Sequence, residues 1–217
     1  MKKQFAVLGL GRFGYTLATT LAKIGHEVVA IDAKEAPVNK ISEQVTRAIQ
    51  ADVRDEQTLK ALGVRNFDTV VVAIGQDIQA NILTSVMLKE LGVAEVVAKA
   101  QNEMHGKVLE KIGVDKVVYP EKDMGERVAH CLSSSNIMDQ IQLSPDYRIA
   151  EVKATPKVQG QDLGKLNLRA KLGINVLAVK RENDIIVSPG ANNILEEGNI
   201  IVVLGSNKAL EKLENYI

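Results

Sequence analysis

Six residues near the start of the chain, Gly9-Leu10-Gly11-Arg12-Phe13-Gly14, have the spacing GxGxxG. The chemistry such a spacing serves is diphosphate binding. One glycine makes a tight turn, one lets backbone approach a phosphate, and one lets a helix pack against a strand. The helix that follows presents free N–H groups and partial positive charge to the anion. Asp32 stands 21 residues after Gly11, where a carboxylate accepts both hydroxyls of a ribose and repels a 2′-phosphate, which disfavours NADP. The letters alone fit a glycine turn that merely packs. Their context, a strand before and a helix after with an acid ending the next strand, points to an adenine nucleotide or dinucleotide.

Other candidates follow the carboxyl ends of apolar runs, where ligands sit in open parallel sheets. Asp52 comes after the third run, Ala73-Ile74-Gly75 ends the fourth, and Lys99 follows the fifth. Gly75 allows close approach, and Lys99 is within reach of phosphate. Arg12 projects from the phosphate turn itself, toward a phosphate or a second subunit. A solvated loop side chain is the competing reading for each taken alone.

The elements that must position these residues are legible as alternating runs. Short β-branched or apolar stretches at Phe5–Leu8, Val28–Ile31, Arg47–Gln50, Thr69–Ile74, Glu95–Ala98 and Lys116–Val118 alternate with helix-period segments. The helical segments are Tyr15–Ile24, Val38–Gln44, Thr58–Leu62, Gln79–Leu91 and His105–Ile112. Six strands apolar on both faces and separated by helices predict a doubly wound, Rossmann-like parallel sheet, an α/β fold. Asp123–Ile141 reads as one long helix-compatible stretch, softened at Ser133-Ser134-Ser135-Asn136 and ended before Pro145. The remainder is richer in strands, at Arg148–Lys153, Val176–Lys180, Ile185–Val187 and Ile200–Leu204. Glu182-Asn183-Asp184 turns a hairpin, and two short helices lie at Asn167–Leu172 and Lys208–Asn215. The expected organisation is a nucleotide-binding domain over 1–137 and a small α+β domain over 138–217.

Composition narrows the chemistry further. Lys plus Arg and Asp plus Glu are 27 each, so no basic excess favours nucleic acid as a partner. Aromatics are only 3%, too few for base-stacking platforms. Cys131 is the single cysteine, excluding a disulfide framework and any cysteine-based zinc cluster. His26, His105 and His130 form no metal-ligand pair, and the second lobe holds neither histidine nor cysteine. No apolar run approaches the ~18 residues of a membrane span, and a soluble protein of a reducing compartment is expected. A dehydrogenase of this design needs an acid/base group and a substrate pocket. The residues assemble none, so the expectation is a site that binds rather than reacts. A small NAD-dependent oxidoreductase and an NADH sensor are the alternatives.

The stretches FAVLGLGRFG (5–14), VRNFDTVVVAIGQDIQANILTSVMLKELG (64–92), VAKAQN (97–102), HGKVLEKIGVDKVVYPEKDMGERVA (105–129) and LRAKLGINVLAVKRENDIIVSPGANNILEEGNIIVVLG (168–205) carry a resemblance over the whole chain. It resembles the cytoplasmic regulatory subunits of Ktr/Trk potassium uptake systems. These have an N-terminal RCK (KTN) domain and a C-terminal RCK domain. The resemblance implies a non-enzymatic subunit that binds ATP and ADP, in some members NAD(H), in its N-domain. It implies a homo-oligomer, a dimer assembled into an octameric ring, docked on the inner face of the cell membrane through a channel subunit, with ATP favouring conduction. Gly9, Gly11, Phe13 and Gly14 then belong to the phosphate turn, Asp32 to the ribose and Asp52 to the adenosine. Arg12 senses the γ-phosphate. Glu121 matches a carboxylate holding Mg2+ or Ca2+ at the dimer seam. The family's usual Gly-Asp-small-Thr after the third strand is here Ala51-Asp52-Val53-Arg54, which leaves Asp52 in place and adds at Arg54 a charge to which the resemblance assigns no role. The C-domain resemblance implies cyclic di-AMP at a dimer seam. Arg169 would reach a phosphate, Asn175 and Val176 would offer polar groups, and Leu163, Leu166, Leu168 and Pro189 would form apolar walls.

Overall fold

A computed structural model describes residues 2–133, 136–182 and 184–217. Ser134, Ser135 and Asn183, which the sequence reading assigned to a soft patch and a turn, lie outside the described residues. The chain divides into two units, Met1–Lys122 and Asp123–Ile217.

In the first unit the order is β1 (Gln4–Leu8), α1 (Arg12–Ile24), β2 (Glu27–Asp32), α2 (Glu35–Ile41), β3 (Arg47–Gln50), α3 (Glu56–Ala61), β4 (Thr69–Val72), α4 (Ile78–Glu90), β5 (Val96–Lys99), α5 (Glu103–Lys111) and β6 (Lys116–Val118). All six strands are parallel, in the order β3-β2-β1-β4-β5-β6. The chain runs outward from β1 to β3, returns, and runs outward again from β4 to β6. The carboxyl ends of β1 and β4 therefore flank the switch point, where the loops part and leave a crevice.

Strand periodicity sends alternate side chains to opposite faces, and both faces are buried here. Ala6 and Leu8 join one core with Val70, Val72 and Leu88, while Val7 joins the other with Ala18, Val28 and Val71. All four residues of β4 are buried. Each fully buried Val or Leu contributes about 1.5–3 kcal/mol, so strand register is strongly fixed. That rigidity holds the strand ends, and the residues after them, in place.

The second unit contains most of α6 (Pro120–Ser133), then β7 (Ile137–Gln142), β8 (Tyr147–Lys153), α7 (Leu163–Leu166), α8 (Leu168–Leu172), β9 (Asn175–Arg181), β10 (Asp184–Val187), β11 (Ile200–Ser206) and α9 (Asn207–Tyr216). Its antiparallel sheet has the order β10-β9-β11-β8-β7. The expected single helix-compatible stretch Asp123–Ile141 is corrected here. The helix stops at Ser133, and Ile137–Gln142 pairs with β8 instead, because an edge of the sheet offers hydrogen bonds that a longer helix would forgo. The units part inside α6, earlier than the 137/138 boundary expected from sequence.

Candidate nucleotide-binding cleft

The local sequence at the switch point dictates an unusual turn. Gly9 has φ 97°, a left-handed conformation that a side chain would strain, and its N–H donates to Ile31 O at 2.8 Å. A methyl on Gly9 would lie 3.0 Å from Ile74 N. Gly14 serves packing: a Cβ there would sit 1.9 Å from Gly9 O and 3.0 Å from the Ala73 Cβ. Gly11 differs from both. It caps α1 with extended backbone and no side-chain bond, and a Cβ would meet nothing within 4 Å. Space therefore stands open above the amide groups that begin a 13-residue helix.

Asp32 is tied to this turn from the next strand. Its Oδ2 accepts the Leu10 N–H at 2.7 Å and its Oδ1 accepts the Lys34 N–H at 2.9 Å. Each oxygen keeps acceptor capacity for a hydroxyl. The carboxylate thus shapes the glycine turn as well as facing the crevice.

Around these residues lies a cleft of about 950 Å³. It brings together Gly9, Gly11, Arg12, Phe13, Asp32, Asp52, Ala73, Ile74, Gly75, Lys99 and Glu121. Gly14 alone among the expected first-lobe residues does not line it, being covered by the turn it supports. The sequence reading missed Ala33, Lys34, Pro37, Val53, Gln76, Asp77 and Gln101, which also line the cleft.

Four of the charged groups form two pairs at opposite sides. On the β3 side, Arg54 grips Asp52: Nε donates to Oδ1 at 2.9 Å, Nη2 to Oδ2 at 2.6 Å, and the Arg54 backbone N–H to Oδ1 at 3.0 Å. These bonds hold the Asp52 carboxyl down at about 2. Arg54, to which the resemblance assigned no role, is thus paired with Asp52. On the β5 side, the buried Lys99 reaches past Gly75 to the Glu121 carboxylate. That hydrogen bond, with the Arg12 charge adding to it, holds the Glu121 carboxyl below the usual glutamate range. Glu121 is 71% exposed and engages Lys99 through one oxygen. Among the described residues no three His, Cys, Asp or Glu side chains gather as a metal site. A cation at Glu121 fits only with donors from a nucleotide or a second chain.

Beneath the cleft, fully buried Asn81 donates to Ile74 O at 2.8 Å and Lys99 O at 3.0 Å. It staples the ends of β4 and β5, a role with no signal in its sequence neighbourhood. His105 is buried, accepts the Gln101 N–H at 3.3 Å through Nδ1, and is pushed down in pKa by burial.

In the second unit, Arg169 and Asn175 are exposed, and Leu163, Val176 and Pro189 are half-buried. Leu166 and Leu168 depart from expectation. They are 1% and 3% exposed, inside the core with Ile174, Leu195 and Leu210. The inward faces of the short helices α7 and α8 carry them there, so they are not walls of a surface site.

Two family models divide the chain much as its two units do. Residues 5–120 match the TrkA-N domain and residues 147–217 the TrkA-C domain. The chain belongs to the TrkA-N/TrkA-C family of Ktr- and Trk-type potassium uptake proteins. It is 46% identical over 217 residues to the Ktr system potassium uptake protein C of Bacillus subtilis, covering 100% of this chain and 98% of that one. It is 46% identical to protein A of the same organism, over 98% of this chain and 96% of the relative. The Ktr system potassium uptake protein A of Vibrio alginolyticus is 36% identical, over 98% of this chain and 97% of that one. Among solved structures, the RCK domain of GsuK superposes with a TM-score of 0.71 at 20% identity, over 100% of this chain and 48% of that chain. The GsuK channel bound to NAD gives 0.69 at 19%, over 100% and 39%. The chain spans under half the length of these GsuK chains, and the likeness establishes the RCK fold. Among the described residues, no helix of the chain is long and apolar enough to cross a membrane.

Proposed function

We propose that this chain is the nucleotide-gated regulatory subunit of a potassium uptake channel. ATP and ADP are the ligands of the first unit, held at the inner face of the cell membrane through a channel subunit. One observation carries the reading. At the switch point, an open glycine at a helix N-terminus stands beside a carboxylate anchored for a ribose, with Arg12 and Lys99 on the phosphate side of the same cleft. Full-length relatives named as potassium uptake proteins support the channel side of it.

The sheet order gives the ligand a direction. The phosphates belong over the turn after β1, the ribose at Asp32 after β2, and the γ-phosphate toward Arg12, Lys99 and Glu121. ATP and ADP share every contact but the last, so the γ-phosphate end supplies the difference. A ligand shifts a conformational equilibrium only by its difference in affinity between states. A dimer or octameric ring, with a divalent cation between Glu121 carboxylates, completes the reading. In the second unit, Arg169, Asn175, Val176, Leu163 and Pro189 are the residues that would face cyclic di-AMP at a seam between two chains. NAD(H) shares the adenosine diphosphate half and competes for the same cleft.

Calorimetric titration of the full-length chain tests the first unit. Asp32→Ala removes a charged acceptor from a ribose diol common to both ligands. ADP and ATP affinities should fall together by about 1.5–3 kcal/mol. Unchanged affinity for both removes the ribose assignment.

A further inference from the structure

Lys99 and Val118 are register partners at the carboxyl ends of β5 and β6, and Ala100 N donates to Val118 O at 2.9 Å. In the first turn of α6, just beyond Val118, Glu121 returns to accept a hydrogen bond from the Lys99 ammonium. Tyr119 and Pro120 make the bend between them. Proline brings a preset φ and no N–H, so the side-chain anchorage of the bend falls to Tyr119.

Tyr119 is half-buried, with its ring packed against the first core. Its hydroxyl end enters a notch on α5 that exists because residue 106 is glycine. A Cβ on Gly106 would overlap the hydroxyl oxygen and lie 2.6 Å from Cζ and 3.1 Å from Cε1. Gly106 is buried inside α5 without a positive φ, so the phenol and not the backbone accounts for the glycine. Neither residue lines the cleft. Their effect on it runs through Glu121.

The Lys99 side chain is 11% exposed and that of Glu121 71%. Burying an ammonium without a counter-charge is costly, so the carboxylate stays until another anion replaces it. We propose that Tyr119, seated in the Gly106 notch, is a positioning residue that holds the Glu121 carboxylate on Lys99 as a built-in competitor of a third phosphate. The inference rests on the nucleotide reading above. ADP ends short of Lys99 and meets no competitor, whereas the γ-phosphate of ATP must displace Glu121. Tyr119 thereby tilts the cleft toward the diphosphate without touching either ligand.

ATP and ADP are the probes, titrated calorimetrically into the full-length chain in EDTA, so that no divalent cation bridges carboxylate and phosphate. Tyr119→Ala empties the notch and Gly106→Ala fills it. Each should raise ATP affinity about fivefold, the coupling of one partly exposed ion pair, with ADP affinity held within about twofold. Gly106→Ala displaces only the end of a side chain and keeps α5 helical, so it should fold. Tyr119→Phe keeps the ring in the notch and should match the original chain. In a Glu121→Gln background the competing charge is gone, and Tyr119→Ala should leave the ATP:ADP ratio unchanged, which a general loosening of the cleft would not do. An unchanged ratio in either folded single variant overturns the inference and leaves nucleotide binding intact, as does a Tyr119→Ala effect that persists in Glu121→Gln. Binding of neither nucleotide by the original chain overturns both readings together.

Discussion

Two glycines three positions apart, Gly11 at the start of α1 and Gly14 in its first turn, should fail in different ways when each becomes alanine. At Gly14 the new methyl would lie 1.9 Å from Gly9 O. Restoring ordinary contact moves α1 away from the turn by more than an ångström, and both partners are backbone or β-sheet core. Overpacking of this kind costs about 3 kcal/mol at the upper end, offset by about 1 kcal/mol of better helix propensity, a net loss near 2 kcal/mol. The first unit should melt roughly 5–10 °C lower. At Gly11 nothing lies within 4 Å and the backbone is in a region alanine occupies freely. Stability should change by less than about 1 kcal/mol. The methyl instead fills the space through which a phosphate reaches the helix N–H groups, forfeiting charge-assisted bonds worth about 1.5–3 kcal/mol, or roughly 10–150-fold in affinity. Calorimetric melting and ADP titration of the two variants separate these effects. ADP binding to Gly11→Ala at full strength would refute phosphate approach at that turn. An unshifted melt for Gly14→Ala would refute the packing argument.

The Glu121 carboxyl, held down by Lys99, contributes stability above the usual glutamate range that is lost as pH falls through its lowered folded value. Carboxyl NMR titration should show its midpoint rising in Lys99→Met, and an unmoved midpoint would mean that the pair does not form in solution. In the second unit, Leu168→Ala should destabilise by about 2–4 kcal/mol because it empties core volume. Arg169→Ala should leave melting unchanged while removing cyclic di-AMP binding by the full-length chain and sparing ADP. Retained dinucleotide binding would rule Arg169 out.

The first unit was legible because its signals are local. The TVVV of β4 can satisfy its apolar side chains only between two helical layers, and the glycine spacing after β1 needs no tertiary information to suggest a phosphate turn. Asp32 followed from its distance along the chain. Partners separated by tertiary structure were not legible. Lys99 stands 22 residues from Glu121, and nothing in VAKAQN indicates that its ammonium curls back past Gly75. Asn81 looks like any polar residue of a helix, yet it ties two strand ends together. Arg54 is only two residues from Asp52, but the bidentate grip depends on the chain reversing after β3. The apolar spacing of Ile137, Met138 and Ile141 suits a helix as well as a strand, and only the unpaired edge of β8 decides between them. Leu166 and Leu168 were misassigned to a surface because a helix of four or five residues gives too little period to reveal its inward face.

Potassium flux through the channel subunit with this chain bound tests regulation by nucleotide most directly. Membrane vesicles carrying the channel subunit from the same cell, reconstituted with the full-length chain, would be assayed with ATP and then with ADP. The account predicts that the two proteins co-purify, that flux is faster with ATP, and that Asp32→Ala abolishes the difference. Flux that is equal with ATP, ADP and no nucleotide, from a complex that does assemble, would contradict it.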